Sequence, residues 1–234
     1  MNVEGAKIIV TGGSLGIGKA TAKSLIDKGA QVVITGRGKE RLEKAAAEIG
    51  AIPIVFDISQ LDDIPAKAQE CVAALGGRVD VLVNNAGIGT FPTLENVTKE
   101  DFYSVYDTNV FGLALLTKEI VAPMREQQSG TIVNIASTAA LKGFARGTVY
   151  AASKFALRGM TQSWQAELRR DNIRVALVNP SEVTTAFANP DREERAPVSN
   201  KLDSYDIAHT IVSVIEMDNK GFIPEVTVWA TNPF

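Results

Sequence analysis

Tyr150 and Lys154 lie four residues apart in the alanine-rich stretch VYAASKFAL, residues 149–157, and both side chains can take part in proton transfer. Residues i and i+4 of a helix share one face, so the Lys154 ammonium can approach the Tyr150 phenol. A free tyrosine has a pKa near ~10, and a neighbouring cation favours the phenolate. The spacing therefore predicts that Lys154 lowers the pKa of Tyr150. The alternative is an ordinary helix in which Tyr150 packs and Lys154 is solvated.

A glycine-rich stretch, IIVTGGSLGIGKATA at residues 8–22, is the second pattern with a chemical meaning. It places Gly12, Gly16 and Gly18 directly after a predicted strand and at the start of a predicted helix. Glycine lets the backbone approach a pyrophosphate, and the helix N-terminus offers free N–H groups and positive potential. The pattern predicts a dinucleotide phosphate site, and a structural turn without a ligand is the alternative.

The end of the second predicted strand, VITGRGKERL, bears on which dinucleotide is preferred. An acidic residue near this point accepts hydrogen bonds from the ribose of NAD, whereas a 2′-phosphate repels carboxylates and favours a guanidinium. Here Gly36 ends the strand and Arg37 follows. We therefore expect NADPH to be preferred and NADH to be possible. Arg37 as a solvated loop residue is the alternative.

The elements that must position these residues alternate along the chain. Helices and β-branched apolar runs in turn predict a doubly wound α/β fold, with a parallel sheet between two layers of right-handed crossover helices. At 234 residues, a single domain spanning 1–234 is expected. The predicted strands are 7–10, 31–35, 52–56, 80–84, 131–135, 174–178 and 225–229, and the predicted helices include 17–28, 39–49, 64–75, 99–125 and 149–170.

Composition excludes several classes of function. The net charge of -3 lacks the excess of cations that nucleic-acid binding demands. One cysteine, Cys71, and one histidine, His209, are too few for a Cys/His zinc site, and we expect no metal. No apolar run approaches the ~20 residues of a membrane span, and the first residues lack a secretory pattern. A cytoplasmic protein is expected.

The motifs taken in order resemble the short-chain dehydrogenase/reductase family in its standard single-domain form, over nearly the whole chain. They are TGGSLGIG at 11–18, DI at 57–58, NNAG at 84–87, Asn109 within DTNVFG, Ser137 within IASTAA and YAASK at 150–154. The resemblance implies a Rossmann-type, seven-stranded parallel sheet with a nicotinamide cofactor across its carboxyl edge. It also implies a carbonyl/alcohol oxidoreductase.

The resemblance assigns four catalytic roles. Ser137 orients and polarises a substrate carbonyl, and Tyr150 protonates the oxyanion that hydride transfer leaves. Lys154 lowers the pKa of Tyr150 and hydrogen-bonds the nicotinamide ribose. Asn109 holds a water that links Lys154 to solvent. An Asn109 that only ends or kinks a long helix is the alternative.

A cofactor groove follows from the same resemblance, with Asp57 and Ile58 flanking the adenine. The family's usual Pro-Gly-x-Val-x-Thr reads PSEVTT here, so Ser181 replaces a glycine and the backbone of that loop is expected to differ. Asn84 and Asn85 could instead only shape a turn. The expected cofactor-binding residues are Gly12, Ser14, Leu15, Gly16, Ile17, Gly18, Arg37, Asp57, Ile58, Asn84, Ala86, Gly87, Tyr150, Lys154, Pro180, Val183 and Thr185.

The substrate is less defined than the cofactor. The motif set looks most like bacterial 3-oxoacyl-acyl-carrier-protein reductases, so a 3-oxoacyl thioester is the first expectation; a small ketone or a sugar alcohol is the alternative. Residues 186–200, AFANPDREERAPVSN, lose periodicity and form a candidate flap around Phe187 or a plain surface loop. The pocket is expected to be formed by this flap, by Ser181 and Glu182, and by the residues after Ser137.

Two other classes of function are alternatives to carbonyl reduction, and the oligomeric state can also be predicted. A catalytically silent dinucleotide sensor or scaffold would bind NADPH without turnover, and a methyltransferase would have no use for the Tyr150–Lys154 pair. In the family, long helices such as 99–125 and 149–170 pair across subunits, and the C-terminal strand forms a second interface. The resemblance thus implies a homotetramer, with a dimer as fallback.

Overall fold

One parallel sheet organises the protein. The computed structural model describes residues 1–187, 189, 191, 193–196 and 198–232, and within them seven strands follow the order β3-β2-β1-β4-β5-β6-β7, with every neighbouring pair parallel. The predicted doubly wound α/β fold is confirmed. The strands are β1 Lys7–Thr11, β2 Gln31–Gly36, β3 Ile52–Val55, β4 Val81–Asn84, β5 Gly130–Ile135, β6 Ile173–Pro180 and β7 Glu225–Val228.

Helices cover both faces of the sheet because successive strand side chains point in opposite directions. Ile8 and Val10 of β1 are buried in one apolar cluster, and Ile9 between them is buried in another. Leu25 belongs to the first cluster and Leu116 to the second. The helices are α1 Gly16–Ile26, α2 Lys39–Ile49, α3 Ile64–Ala74, α4 Lys99–Tyr106, α5 Leu113–Gln127, α6 Thr148–Leu168 and α7 Ser204–Glu216.

The strand order reverses between β1 and β4, which opens a crevice at their carboxyl ends. Side chains tie the two loops together at this point. The Thr11 hydroxyl accepts hydrogen bonds from the backbone N–H groups of Asn85 (3.0 Å) and Ala86 (2.9 Å). The Asn85 side chain donates in return to the Thr11 carbonyl at 2.9 Å and to the Gly12 carbonyl at 3.2 Å.

The segment predicted as a helix over 99–125 is helical throughout, but its centre is not α-helical. A π-helical segment, Asp107–Gly112, separates α4 from α5. Gly112 lies so close to the neighbouring loop that a Cβ there would be 2.1 Å from the Ile58 carbonyl oxygen. The wider turn also buries Thr108 and Asn109. Single π-helical turns of this kind are frequent at functional sites.

The segment after β6 closes over the same edge of the sheet. An isolated parallel bridge pairs Val183 with Leu202, and the Thr184 N–H donates to the Leu202 carbonyl at 2.9 Å. The predicted flap, 186–200, therefore has a fixed base. Ala188, Pro190, Arg192 and Pro197 of that flap, and Pro233 and Phe234 of the C-terminal segment, lie outside the described residues. No helix within the described ranges is long and apolar enough to cross a membrane.

Candidate active site

Three of the four predicted catalytic side chains meet at the carboxyl end of β5. Lys154 is 5% exposed, and its Nζ donates to the Ile135 carbonyl at 2.9 Å. The same ammonium lies 5.7 Å from the centroid of the Tyr150 ring. Ser137 follows β5, and its hydroxyl both hydrogen-bonds Tyr150 and accepts from the Ala139 N–H at 3.1 Å. The i, i+4 spacing on α6 brings the phenol and the ammonium together as predicted.

The predicted effect of Lys154 on the pKa of Tyr150 is wrong for the chain by itself. Burial raises the pKa of Tyr150 to about 12, and the hydrogen bond with Ser137 offsets only part of that rise. Burial also lowers the pKa of Lys154 to about 8. Both shifts have one cause, because an apolar surrounding disfavours the charged form of each group. Near neutral pH the phenol is therefore protonated.

Asn109 acts as a tie between loops in this structure. Its Oδ1 accepts from the Ile88 N–H at 2.9 Å, and its Nδ2 donates to the Ile88 carbonyl (2.9 Å) and the Ser153 hydroxyl (3.0 Å). The Ser153 hydroxyl donates in turn to the Tyr150 carbonyl at 2.7 Å. The carboxamide thus links the loop after β4 to the first turns of α6. This position is compatible both with the predicted water that links Lys154 to solvent and with the alternative, an Asn109 that ends or kinks a long helix.

A cleft of about 1020 Å³ runs along the carboxyl edge of the sheet. The glycine-rich turn lies at one part of it and Tyr150 at another, as a dinucleotide beside a catalytic group requires. Of the predicted cofactor residues, those that line the cleft are Gly12, Ser14, Leu15, Gly16, Ile17, Arg37, Asp57, Ile58, Ala86, Gly87, Tyr150, Lys154, Pro180, Val183 and Thr185.

Gly18 and Asn84 are not among the residues that line the cleft. Asn84 is 1% exposed, and its Nδ2 donates to Thr117 Oγ1 and Asn134 Oδ1, both at 2.9 Å. Asn85, the next residue, lines the cleft instead. The side-chain alternation of β4 could have identified Asn84 as a residue facing the helices.

The glycine-rich turn fits a pyrophosphate. Gly12 and Gly16 have φ values of 67° and 52°, which L side chains rarely adopt. Gly18 lets α1 close against the turn, since a Cβ there would be 2.3 Å from the Gly12 carbonyl oxygen. The first N–H of α1, that of Gly16, already binds an anion: it donates to a carboxylate oxygen of Glu194 at 2.5 Å. An exposed helix N-terminus with this property suits a phosphate.

The end of the groove predicted to hold the adenosine carries two cations and a carboxylate. Arg37 and Arg41 both line the cleft beside Asp57. Arg37 Nη1 lies 3.7 Å from Asp57 Oδ2, and Asp57 Oδ1 accepts from the Ser59 N–H at 3.0 Å and hydroxyl at 2.8 Å. Ser59 thus fixes the carboxylate, while the exposed Arg37 side chain can turn to an added anion.

Aromatic rings surround the proton donor. The Tyr150 ring centroid lies 5.4 Å from that of Phe91 and 5.6 Å from that of Phe187, and Phe91 lies 6.2 Å from Phe144. All three phenylalanines line the cleft. Phe187 is among the predicted pocket residues, whereas Phe91 and Phe144 are not. No motif marks them, because they come from different loops that only the fold brings together.

The loop PSEVTT has ordinary backbone angles at Ser181, which is not among the positive-φ residues of the described chain. The Ser181 N–H donates to the Val228 carbonyl at 2.9 Å, so the loop begins as an extension of the β6–β7 pairing. Glu182 pairs with Lys201 at 3.0 Å. A serine therefore fits where the family usually has glycine.

His209 is exposed on α7 and does not line the cleft. Among the residues that the structure describes, no group of three or more histidine, cysteine, aspartate or glutamate side chains could hold a metal ion.

Comparisons with known proteins agree with this geometry. A family model described as short chain dehydrogenase matches residues 6–196. The 3-oxoacyl-[acyl-carrier-protein] reductase of Thermotoga maritima is 36% identical over 190 residues, 79% of this chain and 77% of that protein. Human retinol dehydrogenase 8 is 40% identical over 187 residues, which cover 77% of this chain and 60% of that protein.

A solved structure extends the likeness to the whole fold. A metagenomic short-chain oxidoreductase in complex with NADP superposes with a TM-score of 0.84 at 34% sequence identity. The match covers 97% of this chain and 98% of that one.

The burial of Lys154 predicts a pH-dependent stability. Its folded-state pKa of about 8 lies below the 10.5 of a solvated lysine, so the unfolded chain binds more protons between these values and this residue's contribution to stability rises with pH there. Relative to Lys154→Met, the free energy of unfolding of the wild type should rise by up to roughly 3 kcal/mol across that window. Urea unfolding at several pH values measures this difference.

The exposed Lys118 on the surface of α5 offers a matched control. Lys118→Met should give the same pH dependence as the wild type. If the difference in free energy of unfolding between the wild type and Lys154→Met stayed constant from pH 7.5 to 10.5, the lowered pKa of the buried Lys154 would be contradicted.

Proposed function

The chain belongs to the short-chain dehydrogenase/reductase family of NAD(P)-dependent oxidoreductases, and from that premise we propose that it reduces a carbonyl to an alcohol with NADPH. The observation that carries the proposal is the meeting of Ser137, Tyr150 and Lys154 in a cleft that also holds the glycine-rich turn. The first proposed substrate is a 3-oxoacyl thioester. A small ketone is the alternative.

The proposed residue roles follow the geometry. Bound NADPH supplies the hydride that the carbonyl carbon accepts. The Ser137 hydroxyl donates a hydrogen bond to the carbonyl oxygen, and the Tyr150 phenol donates its proton to the same oxygen. The raised pKa keeps Tyr150 in the protonated form that reduction needs. The Lys154 ammonium would hydrogen-bond the nicotinamide ribose of a bound cofactor, and it places a positive charge beside the phenol.

Asn109 supports this set by its hydrogen bonds to Ile88 and Ser153, which fix the loop after β4 against α6. A water held near its carboxamide would return a proton to Lys154. A Cβ built on Gly87 would lie 3.4 Å from Asn109 Oδ1 and 3.7 Å from Lys154 Nζ, so both polar atoms adjoin the same small space beside Gly87.

Apolar substrates fit the cleft better than polyols. The rings of Phe91, Phe144 and Phe187 offer dispersion contacts and few hydrogen-bond partners for sugar hydroxyls. The two relatives described above are named for a 3-oxoacyl group on acyl-carrier protein and for retinol. An acyl chain beside the reacting carbonyl therefore suits these walls.

NADPH is favoured by the guanidinium groups at the adenosine end of the groove. Arg37 follows β2 at the point where a 2′-phosphate would extend, and Arg41 lines the same wall. Asp57 is held by Ser59 and already lies near Arg37. An added phosphate would take Arg37 as a bidentate partner.

Exposed apolar side chains support a homotetramer, with a dimer as fallback. Tyr103 on α4, Phe111 in the π-helical segment and Phe155 on α6 are 61%, 46% and 45% exposed. Trp229, directly after β7, is 66% exposed. Large exposed apolar groups are typical of interfaces between subunits, although Trp229 also lines the cleft.

Replacing Tyr150 by phenylalanine tests the proton donor. Tyr150→Phe should slow NADPH-dependent carbonyl reduction by about a thousandfold, because general acid catalysis is lost, while NADPH affinity stays within a few fold. A panel of acetoacetyl thioesters, simple ketones and polyols, followed by NADPH absorbance, measures the loss and the preference.

The control is Tyr205→Phe, which removes an exposed phenol on α7 and should leave turnover unchanged. A Tyr150→Phe variant as fast as the wild type would refute the mechanism. A wild type that binds NADPH but turns over no carbonyl would favour the silent sensor.

Arg37 should decide the preference between the two nicotinamides. Arg37→Gln is expected to weaken NADPH binding tenfold or more, as the loss of a charge-assisted hydrogen bond costs about 1.5–3 kcal/mol. NADH binding should change by less than about twofold, since it has no 2′-phosphate. Fluorescence titration of both nucleotides measures the two effects. If Arg41→Gln caused the loss and Arg37→Gln did not, Arg37 would be the wrong residue.

Assembly is tested by mass in solution. Light scattering at micromolar concentration should give four times the mass of one chain, or twice if only one surface associates. Phe155→Glu places a charge on an exposed α6 position and should reduce the mass without altering the fold by circular dichroism. A monomeric wild type would contradict the proposed assembly.

A further inference from the structure

A carboxylate of the chain itself lies on the N-terminus of α1. Glu194 Oε1 accepts a hydrogen bond from the Gly16 N–H at 2.5 Å, and Oε2 accepts from the Ala186 N–H at 3.2 Å. A Cβ built on Gly16 would be 3.9 Å from the same Oε1. One side chain thus bridges the first residue of α1 and the segment that follows β6.

This position is the one that the cofactor's pyrophosphate needs. Gly16 lines the nucleotide cleft and begins α1, where free N–H groups and the helix dipole favour an anion. The Gly16 N–H cannot make a short hydrogen bond to both a carboxylate and a phosphate oxygen. The two anions would also repel each other at this distance.

The segment that carries Glu194 is held across the cleft. Arg195 donates from Nε to the Thr185 carbonyl at 3.0 Å and from Nη2 to the Val183 carbonyl at 3.1 Å. Phe187, on the same segment, packs against the Tyr150 ring and lies near Gly89, where a Cβ would meet Phe187 Cε1 at 3.2 Å. Described residues of this segment therefore lie both at the nucleotide end and at the carbonyl end of the cleft.

We propose that Glu194 is an internal anion that occupies the pyrophosphate position in the free protein and thereby sets the affinity for the dinucleotide. The inference rests on the dinucleotide binding proposed above. A dinucleotide binds only to molecules in which Glu194 has left Gly16, so its apparent affinity falls by the fraction of such molecules.

Removal of the carboxylate charge tests this assignment. Glu194→Gln should bind NADPH about tenfold more tightly than the wild type by fluorescence titration. This factor corresponds to Glu194 occupying the Gly16 N–H in about nine tenths of the free wild-type molecules. Glu194→Ala, which also removes the hydrogen bond to Gly16, should tighten binding at least as much. Adenosine 2′-monophosphate, which has no pyrophosphate, should bind both variants within about twofold of the wild type.

The neighbouring Glu193 supplies the control for charge alone, since its side chain is exposed on the same segment. Glu193→Gln should leave the affinity for NADPH within about twofold of the wild type. In steady-state kinetics, Glu194→Gln should lower the KM for NADPH with little gain in kcat.

Two outcomes would overturn the assignment while the wild type binds NADPH. One is an unchanged or weaker NADPH affinity in both Glu194 variants. The other is an equal tightening for adenosine 2′-monophosphate, which would indicate a long-range charge effect. A wild type that binds neither NADPH nor NADH would instead overturn the proposed function, and this inference with it.

Discussion

The parallel pairing of β1 with β4 is the constraint on which the site depends. It brings the glycine-rich turn and the loop after β4 to one point, where Thr11 and Asn85 exchange hydrogen bonds. The path continues from Ile88 of that loop through Asn109 to Ser153 and the Tyr150 carbonyl. The Asn109–Ser153 hydrogen bond joins two side chains, and each of the other ties involves a backbone group. The nucleotide turn and the proton donor are therefore held in one frame largely by main-chain geometry. A shift in the strand pairing would move both.

Burial affects the two titratable groups of α6 in opposite senses. The apolar surroundings of the cleft raise the pKa of Tyr150, which keeps it protonated, and lower the pKa of Lys154. The site is thus prepared for proton donation, the direction that carbonyl reduction needs. At the other part of the cleft the helix N-terminus favours negative charge, and Glu194 supplies it from within the chain.

Much of the fold and of the site follows from local sequence. β-branched runs separated by helical segments indicate the parallel sheet, and the spacing of Gly12, Gly16 and Gly18 indicates the turn before any contact is known. The Tyr150–Lys154 spacing on α6 places both side chains at one end of the cleft. The structure differs from the sequence-based predictions where a neighbouring element determines the local backbone or the direction of a side chain. The Ile58 carbonyl lies against Gly112, in the π-helical turn within the predicted helix. On β4, the Asn84 side chain faces Thr117 and Asn134 and lies away from the groove.

The sequence by itself determined the element types, the glycine-rich turn and the identity of the reactive side chains, because these depend on periodicity and spacing within one element. Only the tertiary structure decided the protonation of those side chains and what surrounds them. The pKa of Tyr150 depends on desolvation by chain segments far apart in sequence, Phe91 and Phe187 among them. The place of Glu194 on Gly16 joins residues 178 positions apart. No local pattern encodes such contacts, since they exist only once the sheet has formed.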